Sequence, residues 1–260
     1  MRRVDATEVD ATSDARGTVV EPVPVGRRRL LLERPASAEA LLDEDAFARD
    51  EFLPYWAELW PSGVALARHL IALDLEGLRV VELGCGLGLP SLAAALAGAD
   101  VLATDWSPDA LAFAARNAAR NGAAVRTALL RWEEPSALRH ERAFDLALGA
   151  DVLYESRHAA PLLALLRVAL RTGGAALVAD PGRRHAAAFL ALARRGGWQR
   201  ETVHDALLPR GGIHRLWREG RAIGTKPSPT RAREQMYAQR GWRRGVAPGR
   251  AGRESRNGHD

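Results

Sequence analysis

The chain has 260 residues, 47% of them hydrophobic and 27% charged, which is enough to bury a substantial core without a disulfide or metal staple. Its single cysteine, Cys85, excludes an internal disulfide framework and fits a reducing compartment, so a cytoplasmic setting is expected. The net charge of +5 is unevenly placed: ten basic and three acidic residues lie in 221–260, leaving 27 basic and 29 acidic, a net −2, before them.

Lys226 is the only lysine, and so much arginine beside so many alanines reads as codon bias rather than phosphate recognition. No apolar run reaches the roughly 18 residues of a membrane span. The nearest, His158 to Ala179, is broken by Arg167, Arg171 and Gly173-Gly174. Arg2 and Arg3 are followed by no apolar stretch, so no signal peptide is expected.

Residues 1–20 are polar and patternless and are expected to be a mobile extension. Residues 21–218 are expected to form one domain, with elements in 21–75 leading into a core sheet from residue 78. An extended segment is predicted over Val23–Leu32 and a helix around Ala38–Arg49. Pro54 and Pro61 bracket an aromatic stretch, and Val64, Ala67, Leu70 and Ile71 then recur at helical spacing. Strands are predicted at Leu78–Leu83, Asp100–Thr104, Val125–Leu130, Phe144–Leu148 and Ala175–Ala179. Helices are predicted at Pro90–Ala97, from the Ser107-Pro108 start to Asn121-Gly122, at Leu162–Leu170 closed by Gly173-Gly174, and at Arg184–Arg195. Glu201–Val203 and Ile213–Arg218 suit a closing antiparallel pair. Strands alternating with helices imply an α/β fold. The expected form is Rossmann-like: a seven-stranded, mostly parallel sheet with an antiparallel C-terminal hairpin and helices on both faces. From 219 to 260 the chain is rich in Arg, Gly, Pro and Ser and is expected to be a basic disordered tail.

The strongest local signal is Val80-Val81-Glu82-Leu83-Gly84-Cys85-Gly86-Leu87-Gly88, between a strand and a helix. Glycines there allow a sharp turn and a close ligand approach. Asp105 ends the second core strand, 21 residues beyond Gly84, where a carboxylate can accept hydrogen bonds from both ribose hydroxyls of an adenosine cofactor. A nicotinamide loop reads G-x-G-x-x-G, but position 89 is Leu89 and the third glycine comes early, at Gly88. That shape looks like the S-adenosylmethionine type, which has no pyrophosphate to seat at a helix N-terminus. Glu82 can orient the loop or meet the cationic part of the cofactor. Cys85 suits a small filler between glycines, with no histidine near it in sequence.

Three further stretches stand out: Tyr55-Trp56-Ala57-Glu58-Leu59-Trp60-Pro61-Ser62-Gly63, Gly149-Ala150-Asp151-Val152-Leu153-Tyr154, and Asp180-Pro181-Gly182-Arg183. With the glycine loop, over about Phe52 to Trp217, they resemble the seven-β-strand methyltransferases of the lysine methyltransferase group, also called methyltransferase family 16. The Asp-Pro-Gly-Arg stretch is similar to the electron-transfer-flavoprotein β-subunit lysine methyltransferases and their bacterial relatives. The Asp-x-x-Tyr element is the most specific part; the basic tail matches nothing in the pattern.

The resemblance implies bound S-adenosylmethionine and methylation of a protein lysine. By the family's pattern Trp60 covers the cofactor, Gly84 and Gly86 line its methionine part, Asp105 holds the ribose, and Trp132 contacts the adenine. Ala150 lies beside the cofactor. Glu82, Cys85, Gly88 and Trp106 complete the expected cofactor contacts. Asp151 and Tyr154 face the substrate as the catalytic pair. Asp151 could orient the amine, take its proton or pass it to water; Tyr154 could form an aromatic wall that tolerates a methylammonium product.

Plainer roles exist for the same residues. Trp56 and Trp60 suit a hydrophobic staple, Trp132 ordinary core packing, Asp151 structural hydrogen bonding, and Asp180 with Arg183 a local turn and surface pair. Two rival functions keep the cofactor: a small-molecule N-methyltransferase acting on a nicotinamide-like amine, and a non-catalytic S-adenosylmethionine-binding protein. A nucleic-acid amino-methyltransferase usually carries [DN]-P-P-[YF], which is absent here. The seven histidines show no zinc-ligand spacing, so no metal is expected. Neither G-x-S-x-G nor G-x-x-x-x-G-K-[ST] occurs. A monomer is expected, with no membrane partner and at most weak nucleic-acid contact through the basic tail and its Tyr237 and Trp242.

Overall fold

The computed structural model describes residues 12–13, 17–38, 41, 54–141 and 143–218. The basic tail, the segment before Thr12 and nearly all of the expected helix around Ala38–Arg49 lie outside the described residues. No described helix is long and apolar enough to cross a membrane.

The N-terminal part forms a three-stranded antiparallel sheet of β1 (Thr12–Ser13), β2 (Thr18–Val25) and β3 (Arg28–Pro35). The single extended segment expected over Val23–Leu32 is thus two strands, and β2 begins inside the stretch expected to lack pattern. Val25 faces Arg28, so Gly26-Arg27 is a two-residue turn, with Gly26 at φ +60° supplying the conformation a tight hairpin requires. Pro22 and Pro24 conceal a strand from a propensity reading. They sit two apart, so their missing N–H groups fall on one side of β2, beyond the Val19-Val20 stretch that β1 covers, where proline is tolerated.

The outer edge of β3 is satisfied by a helix. Helix α3 (Pro108–Arg120) is followed by its cap residue Asn121. Leu31 N donates to Asn121 Oδ1 (2.9 Å) and Asn121 Nδ2 donates to Leu31 O (2.8 Å). Two residues along, Glu33 N donates to Asn117 Oδ1 (2.7 Å) and Asn117 Nδ2 returns to Glu33 O (3.0 Å). Residues two apart on a strand and four apart on a helix match because both spacings bring successive side chains to one face. The buried Glu33 carboxylate pairs with Arg116 (3.1 Å) and Arg120 (2.6 Å). Asn117 Nδ2 also reaches Leu87 O (3.0 Å), tying the N-terminal sheet to the glycine loop.

The main sheet has seven strands: β4 (Arg79–Leu83), β5 (Asp100–Asp105), β6 (Val125–Leu129), β7 (Phe144–Ala150), β8 (Leu170–Asp180), β9 (Gln199–Val203) and β10 (Gly212–Trp217). Their order is β6-β5-β4-β7-β8-β10-β9, with β10 antiparallel to both neighbours and the first five strands parallel. This is the expected architecture. Helices α1 (Pro61–Leu70), α2 (Leu89–Leu96) and α3 pack in succession, and α4 (Ala159–Ala169) packs on α5 (Arg184–Arg195). Strand alternation feeds both layers: Val81 and Leu83 join the cluster with Leu162, Leu166 and Phe189, whereas Ala103 packs with Cys85 and Ala114.

Gly173-Gly174 does not close α4 as expected. The helix passes straight into β8 at Leu170, and both glycines lie inside that strand. A β-carbon on Gly174 would stand 3.1 Å from Phe144 O and 3.2 Å from Asp145 O, and the β7–β8 register shifts between Phe144 and Leu146. The pair marks an irregularity where two backbones approach, one of the meanings glycine has in a strand.

Asn117→Leu would leave Glu33 N, Glu33 O and Leu87 O without partners inside the protein. We expect a loss of about 2–4 kcal/mol, read as a lower urea midpoint with unchanged slope.

Candidate active site

The C-terminal ends of the parallel strands open into a cleft of about 660 Å³, where ligands bind in open α/β sheets. The twelve residues expected as catalytic or cofactor contacts line it: Glu82, Gly84, Cys85, Gly86, Gly88, Asp105, Trp106 and Trp132 from the β4, β5 and β6 ends, Ala150, Asp151 and Tyr154 after β7, and Trp60 before α1.

The loop after β4 is glycine-dependent. Gly84, Gly86 and Gly88 have φ of +76°, +49° and +77°. A β-carbon on Gly86 would meet Trp56 O at 3.0 Å, and one on Gly88 would meet Ala114 Cβ at 2.7 Å. The loop is anchored where Gly84 N and Cys85 N both donate to Thr104 O (2.9 Å each). The Cys85 side chain packs on Ala103 and Ala114, and burial pushes its thiol well up, which fits the filler role.

Asp105 braces the same loop. Its Oδ2 accepts from Gly86 N (2.9 Å) and its Oδ1 from Ser107 N (3.0 Å). Burial raises its carboxyl against the opposing pull of these N–H groups. Glu82 is deeper, and its Oε2 accepts from Ser91 N (2.9 Å) and Ser91 Oγ (2.5 Å) at the start of α2. These contacts hold the start of α2, directly after the glycine loop. Pro90 has no N–H, Ser91 N is committed to Glu82 and Leu92 N to Gly88 O (2.9 Å). The first turn of α2 therefore offers little to a pyrophosphate, which would otherwise seat at a helix N-terminus.

Trp106, 38% exposed, stands at the mouth. Trp132 is half-buried, and its Cζ2 would lie 3.3 Å from a β-carbon on Gly84. Its ring sits edge-on to His158 at 5.4 Å. Tyr154 lies between His158 (4.5 Å) and Tyr55 (5.2 Å), and burial pushes its hydroxyl up to about 12. Tyr55 O accepts from Trp60 Nε1 (2.8 Å), fixing the indole that flanks the cleft. Trp56 contacts Phe113 at 5.4 Å, as a packing residue would.

Asp151 is buried and has φ +59°, the one described non-glycine residue with positive φ. Aspartate tolerates this conformation better than most residues. Its N–H donates to Ala179 O (2.9 Å), and its carboxylate accepts from Ser62 Oγ (3.3 Å) and Arg183 Nε. Asp180 and Arg183 do form a turn, as one expectation had it: Asp180 Oδ1 accepts from Gly182 N (2.7 Å) and Arg183 N (2.8 Å). The guanidinium, however, is paired with Asp151. Ser62, Tyr55 and His158 carried no role in the sequence reading. Tyr55 and Ser62 lay in a quoted stretch, but His158 joins the site only through the fold. Among the described residues no three His, Cys, Asp or Glu side chains gather as metal ligands would.

Comparison with known proteins agrees with this architecture. Residues 55–194 match the profile of the lysine methyltransferase family, and the chain belongs to that family. It is 41% identical over 105 residues to protein N-lysine methyltransferase METTL21A of Danio rerio, covering 38% of this chain and 48% of that one. It is 36% identical over 138 residues to the electron transfer flavoprotein beta subunit lysine methyltransferase of Danio rerio, covering 50% and 51%. The chain thus spans about half the length of these two relatives. Among solved structures, a TehB-like SAM-dependent methyltransferase of Corynebacterium glutamicum superposes with a TM-score of 0.51 at 21% identity, over 72% of this chain and 100% of that one. That likeness concerns the fold.

Glu82 generates a pH prediction. Burial lifts its carboxyl from an ordinary 4.5 to about 8, so the folded chain binds this proton more tightly than the unfolded one. Its stabilising effect is complete at low pH and is lost as pH rises through the folded value. Relative to Glu82→Gln, the wild type should lose stability between about pH 5 and about pH 8, read from urea midpoints at stepped pH.

Proposed function

We propose that the chain is a protein-lysine N-methyltransferase that uses S-adenosylmethionine. The observation that carries this reading is that the glycine loop with Asp105 and the Asp151-x-x-Tyr154 element line one cleft in a chain of the lysine methyltransferase family.

The residues present fit the cofactor. A β-carbon on Gly84 would stand 3.2 Å from Val152 and 3.3 Å from Trp132, so only bare backbone there lets those two side chains stand against the loop as part of the cleft lining. Asp105 accepts backbone N–H groups from Gly86, Ser107 and Trp106 and keeps acceptor capacity that a ribose hydroxyl can use. The occupied N-terminus of α2 suits a ligand without phosphate. In this reading Gly84, Cys85, Gly86 and Gly88 contact the cofactor through their backbone. Asp105 holds the ribose, and Trp60, Trp106, Trp132 and Ala150 close around the rest, with Glu82 holding the loop in place.

The bound cofactor supplies a methyl group on a sulfonium, and the protein's task is to align an amine with it and exclude water. An approaching lysine is an ammonium with an ordinary pKa near 10.4. Asp151 meets it with a buried negative charge and orients the nitrogen. Tyr154, Tyr55 and Trp60 form an aromatic wall that tolerates the cationic product. The displaced proton leaves to water or through Asp151. We place the reaction in the cytoplasm on the strength of the single, buried thiol.

The test is incubation of the purified protein with methyl-tritiated S-adenosylmethionine and cell extract. A discrete protein band that yields methyl-lysine on hydrolysis supports the reading. Label confined to small solutes assigns a small-amine acceptor instead, and no transfer at all leaves a binding protein.

Two variants separate the halves of the site. Asp105→Ala should weaken S-adenosylmethionine binding by about 10- to 100-fold by calorimetry, the effect of losing charge-assisted hydrogen bonds. Asp151→Asn should bind it within about three-fold of wild type yet label acceptor at least about 30-fold more slowly.

A further inference from the structure

Arg183 has no assigned task in methyl transfer, and its placement is costly enough to need one. It is the N-cap of α5, followed by Arg184, with no acidic residue in the first turn. Positive charge at a helix N-terminus opposes the helix dipole. An arginine free to minimise that cost would extend into solvent. Here the guanidinium turns into the cleft, its side chain 33% exposed, and donates through Nε to Asp151 Oδ1.

The surrounding structure aims it there. Asp180 Oδ1 accepts both Gly182 N and Arg183 N, which sets the direction of the turn. Gly182, at φ +95°, runs so close to Arg210 that a β-carbon would stand 2.6 Å from its carbonyl oxygen. The guanidinium carbon lies 5.6 Å from the Trp60 ring centroid, a cation–π distance, and Trp60 is itself fixed through Tyr55 O. Asp151 faces Arg183 from the β8–α5 turn and Ser62 from α1, and the buried Asp180 carboxylate lies behind the pair.

We propose that Arg183 is a positioning residue for methyl transfer, whose guanidinium holds the Asp151 carboxylate aimed at the incoming lysine. A carboxylate this deeply buried is expensive to leave without a partner, and without one its side chain has nothing to hold its direction. Pairing with Arg183 and Ser62 uses one acceptor position on each oxygen and leaves the others for the substrate ammonium. This inference rests on the methyltransferase reading above.

The test uses the full chain as wild type, Arg183→Ala, Arg183→Lys and the neighbouring control Arg184→Ala, with tritiated S-adenosylmethionine and heat-treated extract as acceptor. For Arg183→Ala we expect a fall of about 10- to 100-fold in rate at saturating cofactor, with cofactor affinity within about three-fold of wild type. Arg183→Lys, which keeps the charge without the planar fork, should fall between the two, and Arg184→Ala should match wild type. Guanidinium chloride at about 20 mM, far below denaturing concentrations, should restore a measurable part of the Arg183→Ala rate and none of an Asp151→Asn rate. That rescue separates a positioning role from simple misfolding, which added guanidinium would worsen.

Three results overturn the proposal. They are an Arg183→Ala rate within two-fold of wild type, a loss cured by raising cofactor alone, and a loss that guanidinium and Arg183→Lys both leave untouched. Transfer by wild type with any of these removes only this inference. Absence of transfer by wild type removes the methyltransferase reading and this inference with it.

Discussion

At Gly86 and Gly88 the main chain passes nearer to Trp56 and Ala114 than a β-carbon permits, and the cleft is organised around that approach. Because the loop can lie flat there, α3 closes on it, Asn117 reaches Leu87 O, and Asp105 captures Gly86 N. Each contact depends on the one before, since a side chain at either glycine would wedge the layers apart. Glu82 completes the arrangement from beneath by holding the start of α2 through Ser91.

Most of the parallel core was legible because β4, β5, β7 and the second half of β8 are short, largely apolar runs bounded by turn residues, while β6, with Arg126 and Thr127, is a more exposed edge strand. Val80–Leu83 and Val101–Thr104 are buried on both faces and read as continuous hydrophobic segments. The start of α3 was legible for the same local reason: Ser107 caps it, with its Oγ accepting from Ala110 N at 3.3 Å. The N-terminal hairpin was half legible. Pro22 and Pro24 remove strand signal, and what pairs with the far edge of β3 is a pair of asparagines about ninety residues away. Nothing in either local sequence announces the other. Gly173-Gly174 misled because a glycine pair after a helix normally ends it, whereas here the demand for glycine comes from the neighbouring strand.

The candidate site shows the same division. Residues within a single motif, such as Gly84 to Gly88 or Asp151 to Tyr154, were legible from spacing. Relations between motifs were not. That Arg183 serves Asp151 rather than Asp180, or that His158 closes the space between Trp132 and Tyr154, follows from where β7, β8 and α4 end relative to one another. Strand order sets those distances, and only the folded sheet makes them visible.

The contact between Gly182 and Arg210 links the turn that carries Arg183 to the connection between β9 and β10. The glycine loop is instead tied through Asn117 to β3, beside its anchors on Thr104 and Asp105. The two flanks of the cleft are therefore supported by different parts of the chain. Changes in length or composition within residues 204–211 would re-aim the turn that carries Arg183 while leaving the glycine loop as it is, so the two rims of one cleft can be altered independently.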